Sequence, residues 1–475
     1  MSDDDIVNAA LADLEKGSYG KAAETFLALS LTSPENARAH HFAGIANWRR
    51  GWPRGEVEPN LLRSLELNPN SPAFFHNYGA VLSTYGQIAE SETQFRRAIA
   101  LAPDYVEAYF NLCNMIKVKA DEPALIKMRS LYAAGRISKS DREFLCFALA
   151  KAYDDIGDGQ AAIRFCLEAK WLANRPYDLK ALRKDVAEAK IHTTKAALVK
   201  RDGRGHRSLA PIFIVGMARS GTTLVETILS RHTEINVAGE TRLMDDAEAV
   251  CLKIAQNDAR FKGGVHAMIA HISDAEMHKQ GSHILNQIKT HASNPNYSRF
   301  VDKLPRNALR LGLISQIFPN ARVIYMRRHP LDCCASNLFH RFSGEPYAYN
   351  MITVGKYYRA LSEIMDHWRQ VLPIPILTVQ YEDVVEDLEG QARRLIDFIG
   401  LDWQEACLTP EKSDRDVRTA SVWQVRQPVN SLSTNRWKKY QPWLEPLIES
   451  MGGMEWIEQE FLNRSRTNQT GHATE

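Results

Sequence analysis

No run of about 18 apolar residues occurs anywhere in this 475-residue chain, which excludes a membrane-spanning helix on length alone. No leader is expected from the start of the sequence: residues 1–5, MSDDD, are acidic, with neither the basic segment nor the apolar core of a secretory signal. The expected compartment is the cytoplasm, and a bacterial cytosolic origin fits. Cysteine is sparse and unpatterned. The seven, at 113, 146, 166, 251, 333, 334 and 407, form no CxxC pair and no metal-ligand rhythm, which excludes zinc ribbons and dithiol redox motifs. They read as reduced, mostly core thiols, and no metal is expected. Charge of one sign is also lacking: 59 basic against 57 acidic side chains leave +2, so neither nucleic acid nor a membrane surface is an expected partner. Any basic site must be local. What remains, 44% hydrophobic and 24% charged, is ordinary folded protein, long enough for two or three domains.

The most informative absence is a lysine. Residues 211–223 read PIFIVGMARSGTT: an apolar run predicts a buried strand, Gly216 and Gly221 bound a tight loop, and a helix opens over 224–230. That order is a phosphate cradle, in which backbone N–H groups and a helix N-terminus attract an anion. The GKS or GKT lysine that would reach a nucleotide's outer phosphates is replaced by Gly221, Thr222 and Thr223. Arg219, Ser220, Thr222 and Thr223 can all donate to an oxyanion. The expected anion is not the phosphate tail of ATP.

The first third repeats itself. Pro34, Pro69 and Pro103 lie 35 and 34 residues apart, and Gly17, Gly51 and Gly86 lie 34 and 35 apart. Phe26, Leu61 and Phe95 keep the same phase, as do the small residues Gly44, Gly79 and Cys113. This period with helical patterning resembles tetratricopeptide repeats, antiparallel helix pairs stacked into a solenoid. A degenerate unit over 141–174 extends the stacking to about residue 197. The basic, glycine-containing stretch 198–207 reads as a linker, 208–463 as a second domain, and 464–475 as a disordered polar tail. Apolar runs at 212–215, 322–326 and 374–380 alternate with helical patterns, which predicts a parallel sheet with crossover helices.

Chemistry-bearing residues follow the loop. Glu240 sits in a Gly-Glu-Thr-Arg segment at 239–242, about twenty residues on, where a carboxylate beside a bound anion could take a proton. Lys303 follows Asp302, with which a surface lysine would pair. The strand at 322–326 ends in Arg327 and Arg328, not in the aspartate of a magnesium site, and Arg328 and Ser336 stand eight apart. Such a strand end suits a second phosphate. Tyr381 closes a strand, and Ser421 and Arg436 lie in a late polar segment.

Together and in this order, these segments resemble the sulfotransferases that use 3′-phosphoadenosine 5′-phosphosulfate, in the branch containing the tyrosylprotein sulfotransferases. The resemblance covers about residues 208–460 and implies a P-loop-like α/β fold with a parallel sheet. It implies that Arg219, Ser220, Gly221, Thr222 and Thr223 bind the 5′-phosphosulfate, that Arg328 and Ser336 bind the 3′-phosphate, and that Tyr381 lies by the nucleotide. Glu240 would be the general base, with Arg242 orienting it or the acceptor. Lys303, Arg219 and Ser421 would stabilise the sulfuryl group and leaving phosphate, and Arg436 would replace a phosphate-binding lysine. A family arginine four residues beyond Ser336 is here His340, with Arg341 beside it, and either could complete the site. The nucleotide is a co-substrate and no metal is implied.

A protein or peptide tyrosine is one acceptor the resemblance suggests, yet the arginine that helps read acidic peptides is replaced by Asp246. The repeats could recruit a protein or peptide or could self-associate as a homodimer. A P-loop kinase or other NTPase, and a non-catalytic scaffold with a nucleotide-binding domain, are the alternative readings.

Overall fold

The computed structural model describes residues 2–199, 204–290, 292, 294, 296–413 and 427–462. The described chain divides into two compact units, at Ala173 and Asn174. No described helix is long and apolar enough to cross a membrane.

The first unit consists of helices α1 (Asp3–Glu15), α2 (Tyr19–Thr32), α3 (Ala37–Arg50), α4 (Arg54–Leu67), α5 (Pro72–Thr84), α6 (Ile88–Leu101), α7 (Val106–Met115), α8 (Pro123–Ala134), α9 (Lys139–Asp155) and α10 (Gly159–Ala173). Helices α1/α2, α3/α4, α5/α6 and α9/α10 pack as pairs at the tetratricopeptide period, and the phase-keeping residues show why. Phe26, Leu61 and Phe95 are buried at 0%, 0% and 1% exposure. Leu61 and Phe95 fill the space left by a glycine on the preceding helix: a Cβ at Gly44 would come within 2.7 Å of Leu61, and one at Gly79 within 2.9 Å of Phe95. Any larger residue there would push the helices of a pair apart.

The stack stops earlier than its periodicity suggests. Helices α11 (Leu179–His192) and α12 (Lys195–Val199) belong to the second unit. They are followed by β1 (Pro211–Gly216), α13 (Thr222–Ser230), β2 (Ile235–Gly239), α14 (Leu243–Gln256), α15 (Val265–Met268), α16 (Asp274–Thr290), β3 (Arg299–Asp302), α17 (Leu311–Ile317), β4 (Arg322–Arg327), α18 (Pro330–Leu338), α19 (Met351–Val371), β5 (Ile376–Gln380), α20 (Tyr381–Glu386) and α21 (Leu388–Ile399). Helix α11 packs on α19, where His367 Nε2 lies 2.9 Å from the Thr193 carbonyl and Lys190 pairs with Glu363. The division therefore falls before the glycine-rich linker, because the amphipathic face of α11 covers this unit's core. The tail at 464–475 lies outside the described residues.

The five strands form one parallel sheet in the order β2-β3-β1-β4-β5. All six residues of β1 are buried, as expected of a strand covered on both faces. The register sets Gly239 against Asp302, Gly216 against Met326, and Arg327 against Gln380. All five strands thus end at one edge of the sheet, and the chain reverses strand order at β1. Ligands of open α/β sheets bind at such a crevice.

Candidate active site

The loop after β1 is held by the helix after β4. Asn337 on α18 donates from Nδ2 to the Ala218 carbonyl at 2.7 Å, and Cys333 Sγ lies 3.4 Å from the same oxygen. Pinning that carbonyl turns the next residue into left-handed backbone: Arg219 has φ 68°, unusual for a residue with a side chain. Gly221, at φ 102°, caps α13, and a Cβ there would stand 2.6 Å from the Tyr381 ring. Thr222 and Thr223 open the helix, buried. Ser220 Oγ is buried without a hydrogen-bond partner among the described residues.

A second group of residues joins this loop from the ends of β4 and β5. Arg219 Nε donates to Ser336 Oγ at 3.0 Å. Arg328 Nη1 donates to the Arg219 carbonyl at 3.1 Å, its Nη2 donates to the Ser433 carbonyl, and its guanidinium lies 4.7 Å from the Tyr381 ring centroid. Arg328 Nε is buried without a partner among the described residues. Arg436 approaches from a late turn fixed by Asp332, whose carboxylate accepts from the Asn435 and Trp437 backbone at 2.6 and 2.9 Å. Burial first, and then Arg328 and Arg436, bring the Arg219 guanidinium down to about 10. Cations crowded in this way, beside two buried polar atoms without partners, fit an anionic phosphate ligand.

Sequence neighbours of these residues serve other ends. Arg327 pairs with Glu460 at 2.8 Å inside the domain. His329 stacks on Trp437 at 5.3 Å, accepts from the Leu331 N–H through Nδ1, and is held neutral by burial. His340 packs edge-on against Phe342 at 4.5 Å. Ser421 lies outside the described residues.

The opposite end of the edge, at β2 and β3, carries the second chemical group. Lys303 is not a surface lysine paired with Asp302: it is 0% exposed. Its ammonium bonds the exposed carboxylate of Glu240 and lies 3.7 Å from buried Glu226 on α13. Asp302 turns away, accepting from Thr241 Oγ1 at 2.5 Å and Asn307 Nδ2 at 3.3 Å, and burial pushes it up to about 7. Glu226, Asp302, Asp332 and Asn337 were not legible as site residues, since no motif marks them and only the fold brings them in. Nearby, Asp245 gathers Arg310 at 3.1 Å, Arg242 at 3.6 Å and Arg306. Glu345, close to Arg306 and Glu240, is pushed up to about 7, chiefly by burial.

Residues 211–405 match the sulfotransferase family. Among relatives, an uncharacterized protein of Aquifex aeolicus (strain VF5) is 29% identical over 78% of this chain and 49% of its own length. Protein-tyrosine sulfotransferase A of Caenorhabditis elegans is 24% identical over 50% of this chain and 64% of its own. Protein-tyrosine sulfotransferase 2 of Gallus gallus is 24% identical over 49% of this chain and 64% of its own. The chain thus spans 49% to 64% of the length of these relatives.

Proposed function

We propose that the sulfotransferase-family domain of this chain moves a sulfuryl group from 3′-phosphoadenosine 5′-phosphosulfate to an acceptor hydroxyl. The observation that carries this is one sheet edge with two chemistries: Arg219, Arg328 and Ser336 around the loop, and the Glu240–Lys303 pair at the ends of β2 and β3 beside it. Arg219 with the loop hydroxyls and N–H groups holds the 5′-phosphosulfate. Arg328 and Ser336 hold the 3′-phosphate, with Tyr381 and Arg436 beside them.

The acceptor oxygen attacks sulfur while the bond from sulfur to the 5′-phosphate oxygen breaks. Glu240 takes the acceptor's proton, and adenosine 3′,5′-bisphosphate leaves. Lys303, Arg219 and Ser421 offset charge on the sulfuryl oxygens and the leaving phosphate, a task of preplaced electrostatics that requires no metal. The acceptor is a protein or peptide hydroxyl, tyrosine among them, recruited by the repeat unit in the cytoplasm. Two things support this acceptor: two relatives carry the name protein-tyrosine sulfotransferase, and stacked helical repeats offer a groove for extended peptides.

Calorimetric titration tests the assignment. Adenosine 3′,5′-bisphosphate should bind without metal, and ATP with magnesium should not compete. The reverse preference would make the domain a kinase or NTPase, and binding of neither would make it a scaffold. Labelled donor incubated with cell extract, resolved into protein and small-molecule products, identifies the acceptor.

A further inference from the structure

Lys303 is fully buried and flanked by two carboxylates of different character. Glu240 is 45% exposed and bonds the ammonium directly, whereas Glu226 is 4% exposed and stands 3.7 Å away. The exposed carboxylate is the one that takes a proton in the reaction proposed above. Once it does, its charge is gone while the ammonium remains inside the protein. A buried ammonium without a counter-charge costs several kcal/mol, or else gives up its proton. Asp302 is a weak substitute, because its oxygens accept from Thr241 and Asn307 and not from the ammonium, and burial favours its neutral form, pushing it up to about 7.

We propose that Glu226 is the standing counter-charge of Lys303, a positioning residue that keeps the buried ammonium charged and in place whenever Glu240 is neutral. Its place on α13 suits the role. Glu226 lies one helical turn after Thr222, so the element that opens the phosphate loop also anchors the lysine. The charge sharing stands on geometry alone, and its use in turnover rests on the reading of Glu240 as base. Among the described residues, the charged and titratable groups facing this cluster include Asp302 on β3, Asp245 on α14, Arg306, and Glu345.

A double-mutant cycle on the full chain decides the matter. Glu240→Gln imitates the neutral base, and Glu226→Gln removes the standing charge. Each single variant leaves Lys303 one carboxylate, so each should be mildly destabilised. The double variant should lose at least about tenfold more in its unfolding equilibrium than the two single losses predict, and Lys303→Met should abolish that excess. The excess should also shrink as pH rises from 7 toward 9.5. In the double variant the folded state disfavours the Lys303 proton that the unfolded chain still binds, so stability rises with pH. A packing defect would not depend on pH in this way.

Additive, pH-independent losses would overturn the proposal. Synergy without sulfuryl transfer by the parent would uphold the counter-charge and defeat the functional reading instead. Where the parent is active, Glu226→Gln should lower turnover about tenfold or more and move the acid limb of its pH profile to lower pH. Affinity for adenosine 3′,5′-bisphosphate should hold. An unmoved acid limb would overturn the catalytic use of Glu226.

Discussion

At the scale of single residues, the proposed function assigns binding to one end of the sheet edge and chemistry to the other, and substitution should separate them. On the proposed reading Arg328→Ala removes a charge-assisted phosphate contact, a loss of about 1.5 to 3 kcal/mol, or roughly ten to a hundredfold. Adenosine 3′,5′-bisphosphate should lose its advantage over adenosine 5′-monophosphate by that factor, while Arg219→Ala should weaken both, as calorimetry will read. Equal binding of the two nucleotides by parent and by Arg328→Ala would remove Arg328 from the 3′-phosphate. Glu240→Gln keeps shape and a hydrogen-bonding oxygen but cannot take a proton, so turnover should fall about a hundred to ten thousandfold with nucleotide affinity unchanged. Near-parental turnover would leave Glu240 an ordinary loop carboxylate. His329 is not placed to inherit the task, because its Nδ1 caps a helix and its ring lies against Trp437. The sequence marks Arg219, Arg328, Ser336 and Glu240 through spacing from glycines and strand ends. It does not mark the burial of Lys303, because Asp302 beside it offers a local partner and the true ones come from β2 and α13.

Elements place these residues through few contacts, and some of those contacts are testable apart from the chemistry. Asp332, on the first turn of α18, clamps two backbone N–H groups on either side of Arg436. Asp332→Ala should leave those donors unpaired and let the turn drift, weakening adenosine 3′,5′-bisphosphate about tenfold. If Asp332 acts through Arg436, the double variant should be no worse than Arg436→Ala alone, and additive losses would reject that route. In the repeats, the elements carry a pH-sensitive pair. His41 and His76 lie 35 residues apart, buried, and within 3.0 Å and 2.7 Å of Asn77 and Asn111. Burial lowers them to about 3 and about 4. Below pH 6.5 the unfolded chain takes up protons that the folded histidines refuse, so stability is full above that pH and falls as pH drops. At pH 5 the loss is about 2 kcal/mol for each. Urea unfolding at pH 7.5 and 5 should show it, and replacing both histidines with glutamine should flatten the difference. Helix pairs and strands are legible because periods of 34 residues and buried apolar runs are local signals, whereas the clamp on Arg436 joins residues about a hundred apart.

For the whole molecule, the division at Ala173 and Asn174 changes what an independent catalytic unit must include. Glycines and basic residues at 198–207 mark a break in helical pattern, which is a local property, and a boundary read there assigns α11 to the repeats. Packing assigns it otherwise: His367 Nε2 meets the Thr193 carbonyl, His266 lies 3.3 Å from Asp185, and a Cβ at Gly312 would stand 3.3 Å from Thr193. Trp368, which α19 buries at 0% exposure, lies against the same Gly312 position as Thr193. Periodicity could not separate the two cases, since an amphipathic helix looks the same whichever core receives it. A fragment beginning at Asn174 should therefore unfold in one cooperative urea transition and bind adenosine 3′,5′-bisphosphate like the full chain. A fragment beginning at Arg207 should lose the cover over α19 and unfold at clearly lower urea. Uncovering even a few large apolar side chains costs about 1.5 to 3 kcal/mol each, a sizeable part of the stability of an ordinary domain. Equal midpoints for the two fragments would return α11 to the repeats and put the boundary at the linker.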